Sequence, residues 1–306
     1  MMLFSTTADA DIFLEGSQNR KHFKTTEKSL PMYAHDEVIK GVVIISLKRG
    51  KTLEHQGLRI EIIGSIGKKY TETNDSQWDT NFLLVSRTIE NAGIYVTDQT
   101  IPFQFLDVDK SYESYYGKNL KVKYVLRLTI EKNLSSNIIK ETEIFVARFT
   151  SEPAVNSVVK VESGYEDAVQ LELELSQLKY HCKDVLLGRI YFHIIRVRVF
   201  YVTLQIIRKE IIGNGKNVTN YSDVIGSYEI LDGPVAKGDC IPLRVFLKSC
   251  KITPTYNNIS NRASVKYYLN IFLKDEDGRS FSKQQEIIIW RNGKVIEREG
   301  IPLYKP

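Results

Sequence analysis

The chain has 306 residues, with 42 Lys and Arg against 37 Asp and Glu, a formal net charge of +5. That length predicts two domains at roughly 150 residues each, and 26% charged with 42% hydrophobic residues is ordinary globular usage, which excludes wholesale disorder. So balanced a charge excludes a dedicated nucleic-acid binder, which would cluster Lys and Arg along one face, and leaves attraction to anionic lipid a minor role.

From the N-terminus onward the segments read as follows. Met1–Phe4 has no basic residue before Arg20 and no apolar run, so no secretory signal is expected. Leu58, Ile60 and Ile62 alternate with Arg59 and Glu61, a period-two pattern that predicts a half-buried strand. Lys48-Arg49-Gly50-Lys51 before it carries the turn chemistry that joins antiparallel neighbours. Asn81–Asn91 admits a helical reading, but Leu83-Leu84-Val85 and Thr88-Ile89 suit a strand better. Val122, Tyr124, Leu126, Leu128 and Ile130 share one face, with Lys123, Arg127 and Thr129 on the other. Ser151-Glu152-Pro153 breaks any ladder, because proline lacks an N–H and restricts its predecessor. The domain boundary is therefore expected at Thr150–Ser157, dividing the chain into 1–152 and 153–306.

Leu171, Leu173 and Leu175 alternate with Glu172 and Glu174. Val197 and Val199 interleave with Arg196 and Arg198, predicting one long strand from near Gly188. Its most apolar stretch, Ile190–Val199, carries His193, Arg196 and Arg198 and is far shorter than the roughly 18 residues of a membrane span. Asp232-Gly233-Pro234 and Asp275-Glu276-Asp277-Gly278 are further turn signals, and Val265, Tyr267, Leu269, Ile271 and Leu273 repeat the one-face pattern. Many short strands and no well-capped helix predict an all-β fold of two β-sandwich domains, whose halves can share a fold without recognisable sequence similarity.

Chemistry-bearing constellations are sparse. His22, His35, His55, His181 and His193 are scattered, without paired metal-ligand spacing. Cys182, Cys240 and Cys250 are an odd, sparse set that reads as reduced thiols inside a cell. Together with His181 they form the only imaginable zinc set, lacking the close Cys pair that structural zinc uses. No metal or cofactor is expected. Gly213-Asn214-Gly215 opens no helix, so it reads as a hairpin tip and not a phosphate loop. Glu166-Asp167 could in principle serve a sugar-cleaving sandwich, but solvated surface carboxylates are the ordinary case. In Lys121-Val122-Lys123-Tyr124 and Lys266-Tyr267-Tyr268, alternation turns Tyr124 and Tyr267 away from the lysines, so both read as core tyrosines. Matches to the glycosylation sequon at Asn74, Asn133, Asn217, Asn220 and Asn258 carry no weight without a signal peptide.

Several segments, in order, resemble one family. They are Leu53-Glu54-His55-Gln56-Gly57; Tyr112-Glu113-Ser114-Tyr115; Lys179-Tyr180-His181 with Lys183-Asp184-Val185; Tyr228-Glu229-Ile230-Leu231-Asp232-Gly233; Ile241-Pro242-Leu243-Arg244; and Lys283-Gln284-Gln285-Glu286-Ile287, ending at Trp290-Arg291. The chain is similar in these to the arrestin-like subunit of retromer, the vacuolar protein sorting-associated protein 26 family, over residues 40–291. The resemblance implies two sandwiches in an arrestin-like arrangement and no enzymatic activity. It implies a scaffold that binds a helical-solenoid subunit, a sorting nexin and transmembrane cargo tails. It further implies a cytoplasmic location, peripheral on endosomal membranes through the complex, in retrieval to the Golgi or plasma membrane.

The family's solenoid-binding loop falls on Ile230, Leu231, Asp232, Gly233 and Pro234, where exposed Ile230 and Leu231 at a turn would form an apolar anchor. Read without that resemblance, the same residues end a strand and face the core. The family's cargo and sorting-nexin edge falls on Phe281, Ser282, Lys283 and Gln284. The family's aromatic occupies the place of Ser282, and here the ring is Phe281. A one-residue shift places it on the opposite face unless a bulge intervenes. The competing readings are a stand-alone arrestin-like adaptor for receptor tails and a sandwich hydrolase. Such adaptors carry Pro-x-Tyr or acidic motifs in long tails, whereas the tail here is short, and neither end bears a lipidation motif.

Overall fold

The computed structural model describes residues 7–25, 28–68, 80–133, 135–165, 167–215 and 217–292. They form two compact units, divided between Phe149 and Thr150. The first contains β1 (Ala8–Leu14), β2 (His22–Lys24), β3 (Ser29–Ala34), β4 (Ile39–Leu47), β5 (Leu53–Lys68), β6 (Thr80–Tyr95), β7 (Gln99–Phe105), β8 (Tyr115–Tyr116), β9 (Leu120–Glu131) and β10 (Ile138–Ala147). The second contains β11 (Val159–Tyr165), β12 (Val169–Leu175), β13 (Lys179–His181), β14 (Val185–Ile195), β15 (Val199–Ile212), β16 (Thr219–Asp232), β17 (Cys240–Phe246), β18 (Tyr256–Ile259), β19 (Ala263–Asp275) and β20 (Ser280–Trp290). Among the described residues the only helical pieces are single 3-10 turns at Ser17–Asn19 and Leu247–Ser249. The fold is all-β, two sandwiches, as the alternation predicts.

Each unit packs a smaller sheet on a larger one. The first has the orders β1-β4-β7 and β2-β3-β10-β9-β5-β6, with β8 added to β9; the second has β11-β12-β14-β17 and β13-β20-β19-β15-β16, with β18 added to β19. Apart from β2 and β11, which each belong to one unit alone, the two topologies correspond. β12, β14 and β17 repeat β1, β4 and β7, while β13, β20, β19, β15 and β16 repeat β3, β10, β9, β5 and β6. Even the rarer parallel pairings recur, β3 with β10 and β13 with β20.

Alternation places the cores. Val122, Tyr124, Leu126, Leu128 and Ile130 are fully buried, as are Leu58, Ile60 and Ile62 opposite them. Leu171, Leu173 and Leu175 supply the second core together with Val265, Tyr267, Leu269, Ile271 and Leu273. Each such aliphatic side chain contributes about 1.5–3 kcal/mol by leaving water. Both predicted core tyrosines keep a polar tip satisfied. The Tyr124 hydroxyl donates to the Tyr112 carbonyl at 2.7 Å and accepts the Tyr112 N–H. The Tyr267 hydroxyl accepts the Thr253 N–H at 3.0 Å and lies 2.8 Å from the Thr253 hydroxyl. One device thus pins the same incoming segment in both sandwiches.

Three expectations need correction. The run from Gly188 to Val199 is not one strand: β14 ends at Ile195, β15 starts at Val199, and the two lie in different sheets. Arg196–Arg198 is where the chain crosses the sandwich, so the valines interleaved with arginines mark a corner. Likewise, the turn signals at Lys48–Lys51 and Asp232–Pro234 join strands of opposite sheets and do not close hairpins. The same Gly, Asp and Pro chemistry serves either purpose. Asp275–Gly278 does close a hairpin, β19 to β20, and Asn81–Asn91 lies within strand β6.

Candidate interaction sites

The first candidate site lies where β16 runs into its connection to β17. The last rungs of β16 pair Leu231 with Val202 and Asp232 with Tyr201, and the next pairing is Glu229 with Thr203. Ile230 is therefore the extra residue of a β-bulge, a device that re-aims side chains at sheet edges. Ile230 and Leu231 are both half-buried. Neither description from the sequence fits fully, since they sit on the strand and not at a turn, yet they are not sealed in the core. Asp232 and Pro234 are exposed, and Val235 is buried and anchors the loop.

The connection is tied down by its backbone. Gly233 donates its N–H to the Phe200 carbonyl at 3.0 Å, Val235 to the Val199 carbonyl at 3.0 Å, and Gly238 to the Phe192 carbonyl at 2.7 Å. The Ala236 N–H donates to the Asp239 carboxylate at 2.8 Å. Gly233 has φ 134°, which a residue with a Cβ adopts only under strain. Beside this loop stand Phe200 and Tyr201, each 36% exposed, with the Arg198 guanidinium 4.8 Å from the Phe200 ring centre. Sequence reasoning missed both aromatics. Their signal was the unbroken apolar run Val199-Phe200-Tyr201-Val202, which departs from alternation. A rigid backbone thus presents two half-buried aliphatics and two rings, the composition of an interface anchor.

The second candidate site is the outer edge of β20. β20 pairs with β19 from Ser280 through Ile287 in continuous register, and with β13 only at Ile288–Trp290. The other edge of Ser280–Ile287 thus has no strand partner among the described residues. With no bulge present, the ring of Phe281 faces inward, is buried, and packs against Tyr165 at 4.2 Å between centroids. Ser282 and Gln284 face outward and are exposed, and Gln284 Oε1 accepts from Lys209 Nζ at 2.7 Å. Lys283 is half-buried on the inward side. The displaced aromatic therefore shapes the strand from beneath and offers no ring on the outer face.

Electrostatics stiffen this strand at both ends. At the hairpin, burial works to raise the Asp275 pKa. Two bonds from Arg279, its Nε at 2.7 Å and its N–H at 2.8 Å, outweigh burial and hold the carboxyl below its usual value. Further along, burial pushes the Tyr268 hydroxyl up, and Glu286, which accepts its hydrogen bond at 3.2 Å, adds to the shift.

The other chemical candidates do not assemble. Cys182 Sγ donates to the Trp290 carbonyl, Cys250 lies 3.2 Å from the Tyr228 hydroxyl, and Cys240 is exposed on β17. His181 Nδ1 accepts the Lys183 N–H. No cluster of three metal-ligating side chains occurs among the described residues. Asp167 sits in a left-handed turn with φ 53°, and Glu166 lies outside the described residues. Gly213–Gly215 follows the last β15–β16 rung, Ile212 with Thr219, as a hairpin tip does.

A sequence profile for vacuolar protein sorting-associated protein 26 matches residues 4–278. The chain belongs to the vacuolar protein sorting-associated protein 26 family. The Dictyostelium discoideum protein of that name is 38% identical over 305 residues, covering 98% of this chain and 86% of the relative. That of Plasmodium falciparum is 38% identical over 94% of this chain and 97% of the relative. Mouse vacuolar protein sorting-associated protein 26B is 38% identical over 96% and 88%. This chain is thus a member of a protein-sorting family, with an arrestin-like pair of sandwiches. No helix among its described residues is long and apolar enough to cross a membrane.

Proposed function

We propose that this chain is the non-enzymatic scaffold and adaptor subunit of a retromer cargo-recognition complex, acting in retrieval of transmembrane cargo from endosomes to the Golgi or plasma membrane. Family membership across nearly the whole chain carries this reading. The helical-solenoid subunit docks on Ile230 and Leu231 with the adjoining Asp232, Gly233 and Pro234. Phe200 and Tyr201 extend that surface. A cargo tail, with its sorting nexin, adds as a strand to the edge of β20 at Phe281, Ser282, Lys283 and Gln284, where backbone hydrogen bonds supply affinity. Membrane association is peripheral and runs through the complex.

The test is Ile230→Asp with Leu231→Asn. Two anchor residues at about 2 kcal/mol each predict a loss of solenoid binding of at least about a hundredfold, with circular dichroism unchanged. Unchanged pull-down with a native spectrum would misplace the interface. Purification from a native lysate without any solenoid subunit would favour the stand-alone adaptor.

A further inference from the structure

The internal repeat supplies a control that a single domain lacks. Through the shared topology, Gly41 on β4 answers to Gly188 on β14. Each faces the adjoining edge strand in the same way, Gly41 with Phe103 and Gly188 with Leu243. Pro102 and Pro242 then occupy the same place on β7 and β17, one rung on, opposite Val42 and Arg189. On the other side, Phe13 pairs with Val42, and Glu174 pairs with Arg189. The outer face of the small sheet therefore carries Glu174 and Arg189 in the second unit and Phe13 and Val42 in the first.

The two solutions differ in kind. Glu174 and Arg189 form an ion pair at 2.8 Å, joined by Lys160 at 3.1 Å, which is an ordinary solvated sheet face. Phe13 is 53% exposed, and with Val42 and Pro102 it makes an apolar row across all three strands. This row lines a groove of about 750 Å³, closed on one side by Ile89 and Arg87 of β6. Ile89 is itself the unpaired residue of a bulge, between the rungs Leu58–Glu90 and Arg59–Thr88. β6 and β7 each end their sheet, so the groove runs along two strand edges that lack strand partners among the described residues. Across the mouth, Arg87 donates to the Gln104 carbonyl of β7 at 2.9 Å. An exposed apolar patch beside free edges is a recognised place for another chain to dock.

We propose that this groove in the first unit binds an extended segment of a partner protein, with an apolar anchor and flanking acidic residues. The strand edges call for a main chain to satisfy them, which a lipid cannot do. The rim carries Lys40 and Arg87 against the single carboxylate of Glu15, which selects acidic flanks. The site is distinct from both surfaces assigned under the retromer reading and does not depend on it.

The probe is a phage-displayed library of short random peptides, selected on the full chain and counter-selected on Phe13→Glu with Val42→Arg, which installs the second unit's residue pair. Expected are enriched peptides in which Asp or Glu flanks Phe, Leu or Ile. A labelled peptide from that pool should bind the double variant at least about tenfold more weakly, with circular dichroism unchanged. Lys40→Glu with Arg87→Glu should lose the acidic peptide and gain its Lys-substituted counterpart, a gain that misfolding cannot mimic. No enrichment, enrichment of basic peptides, or equal affinity for the Phe13 and Val42 variant overturns the proposal. So does finding that this variant abolishes self-association of the chain, or its binding to phosphatidylserine vesicles, while peptide binding is unaffected.

Discussion

The two units share one strand order and one set of structural pins, yet they spend their surfaces differently. Gly41 and Gly188 hold the same position, and so do Pro102 and Pro242, and Tyr124 and Tyr267. What differs lies on the outside. The first unit leaves apolar side chains open beside free edges, and the second neutralises the same place with ions. The second unit instead exposes Phe200 and Tyr201 beside the connection from β16 to β17 and leaves one edge of β20 without a strand partner among the described residues. The scaffold is shared by both halves, while the exposed apolar side chains fall at different places on it.

The largest effect is expected at the shared glycines. A Cβ at Gly41 would run into the Phe13 carbonyl, and one at Gly188 into the Glu174 carbonyl; both obstacles are backbone. Gly41→Val and Gly188→Val should each cost about 1–3 kcal/mol or more in urea unfolding. A tolerant Gly188 beside an intolerant Gly41 would break the equivalence. Next come the tyrosine pins. Tyr124→Phe and Tyr267→Phe each leave a backbone N–H short of a partner and should cost about 1–3 kcal/mol. Similar losses at the two sites would show that the pins carry equal weight.

A smaller difference should appear with pH. His55 lies three residues before Leu58 on β5, and Val199 three before Val202 on β15; both are buried. His55 packs on Tyr95 at 4.4 Å, and neither ring nitrogen has a hydrogen-bond partner. Burial lowers its pKa, and the nearby Glu90 only partly offsets this. The unfolded chain then takes up the proton first as pH falls. Its contribution to stability is complete above the unfolded value of about 6.5 and declines below it. The unfolding midpoint should drop between about pH 7.5 and 5.5, and His55→Phe should flatten that slope. The mildest exchange is Glu174→Phe with Arg189→Val. Exposed ion pairs contribute little, so the midpoint should stay put, while binding of a hydrophobic dye should rise.

Strand existence was legible wherever one face is buried and the other wet, as in Val122–Ile130 and Val265–Leu273. Legibility failed where the chain changes sheet. Arg196–Arg198 interrupts no alternation, and Asp232-Gly233-Pro234 uses the residues of a hairpin. Only the three-dimensional pairing shows that both cross the sandwich. The repeat was also hidden, since Ile101-Pro102-Phe103 and Ile241-Pro242-Leu243 are brief matches that gain meaning only when both prolines face the same rung. Of the candidate sites, the β16 loop and the β20 strand were suggested by the family resemblance and not by the residue pattern alone. The sequence could not foresee the bulge at Ile230, whereas the turn of Phe281 to the opposite face followed from its one-residue shift once the register proved unbroken.

The parallel pairing of β13 with β20 also bears on how the protein is made. Lys179 must wait for Ile288, more than a hundred residues later, before its rung can close. Over Ile288–Trp290, β20 lies between β13 and β19 and so closes the sheet from within. During synthesis the first unit can complete its own parallel pair as soon as β10 emerges. Met32 waits for Phe145 in the same way, so each unit must hold its long strands without their last neighbour until β10 or β20 emerges. Such long-range closure is slow and leaves apolar strand faces open meanwhile. Each unit is therefore most vulnerable to misassembly just before its closing strand arrives.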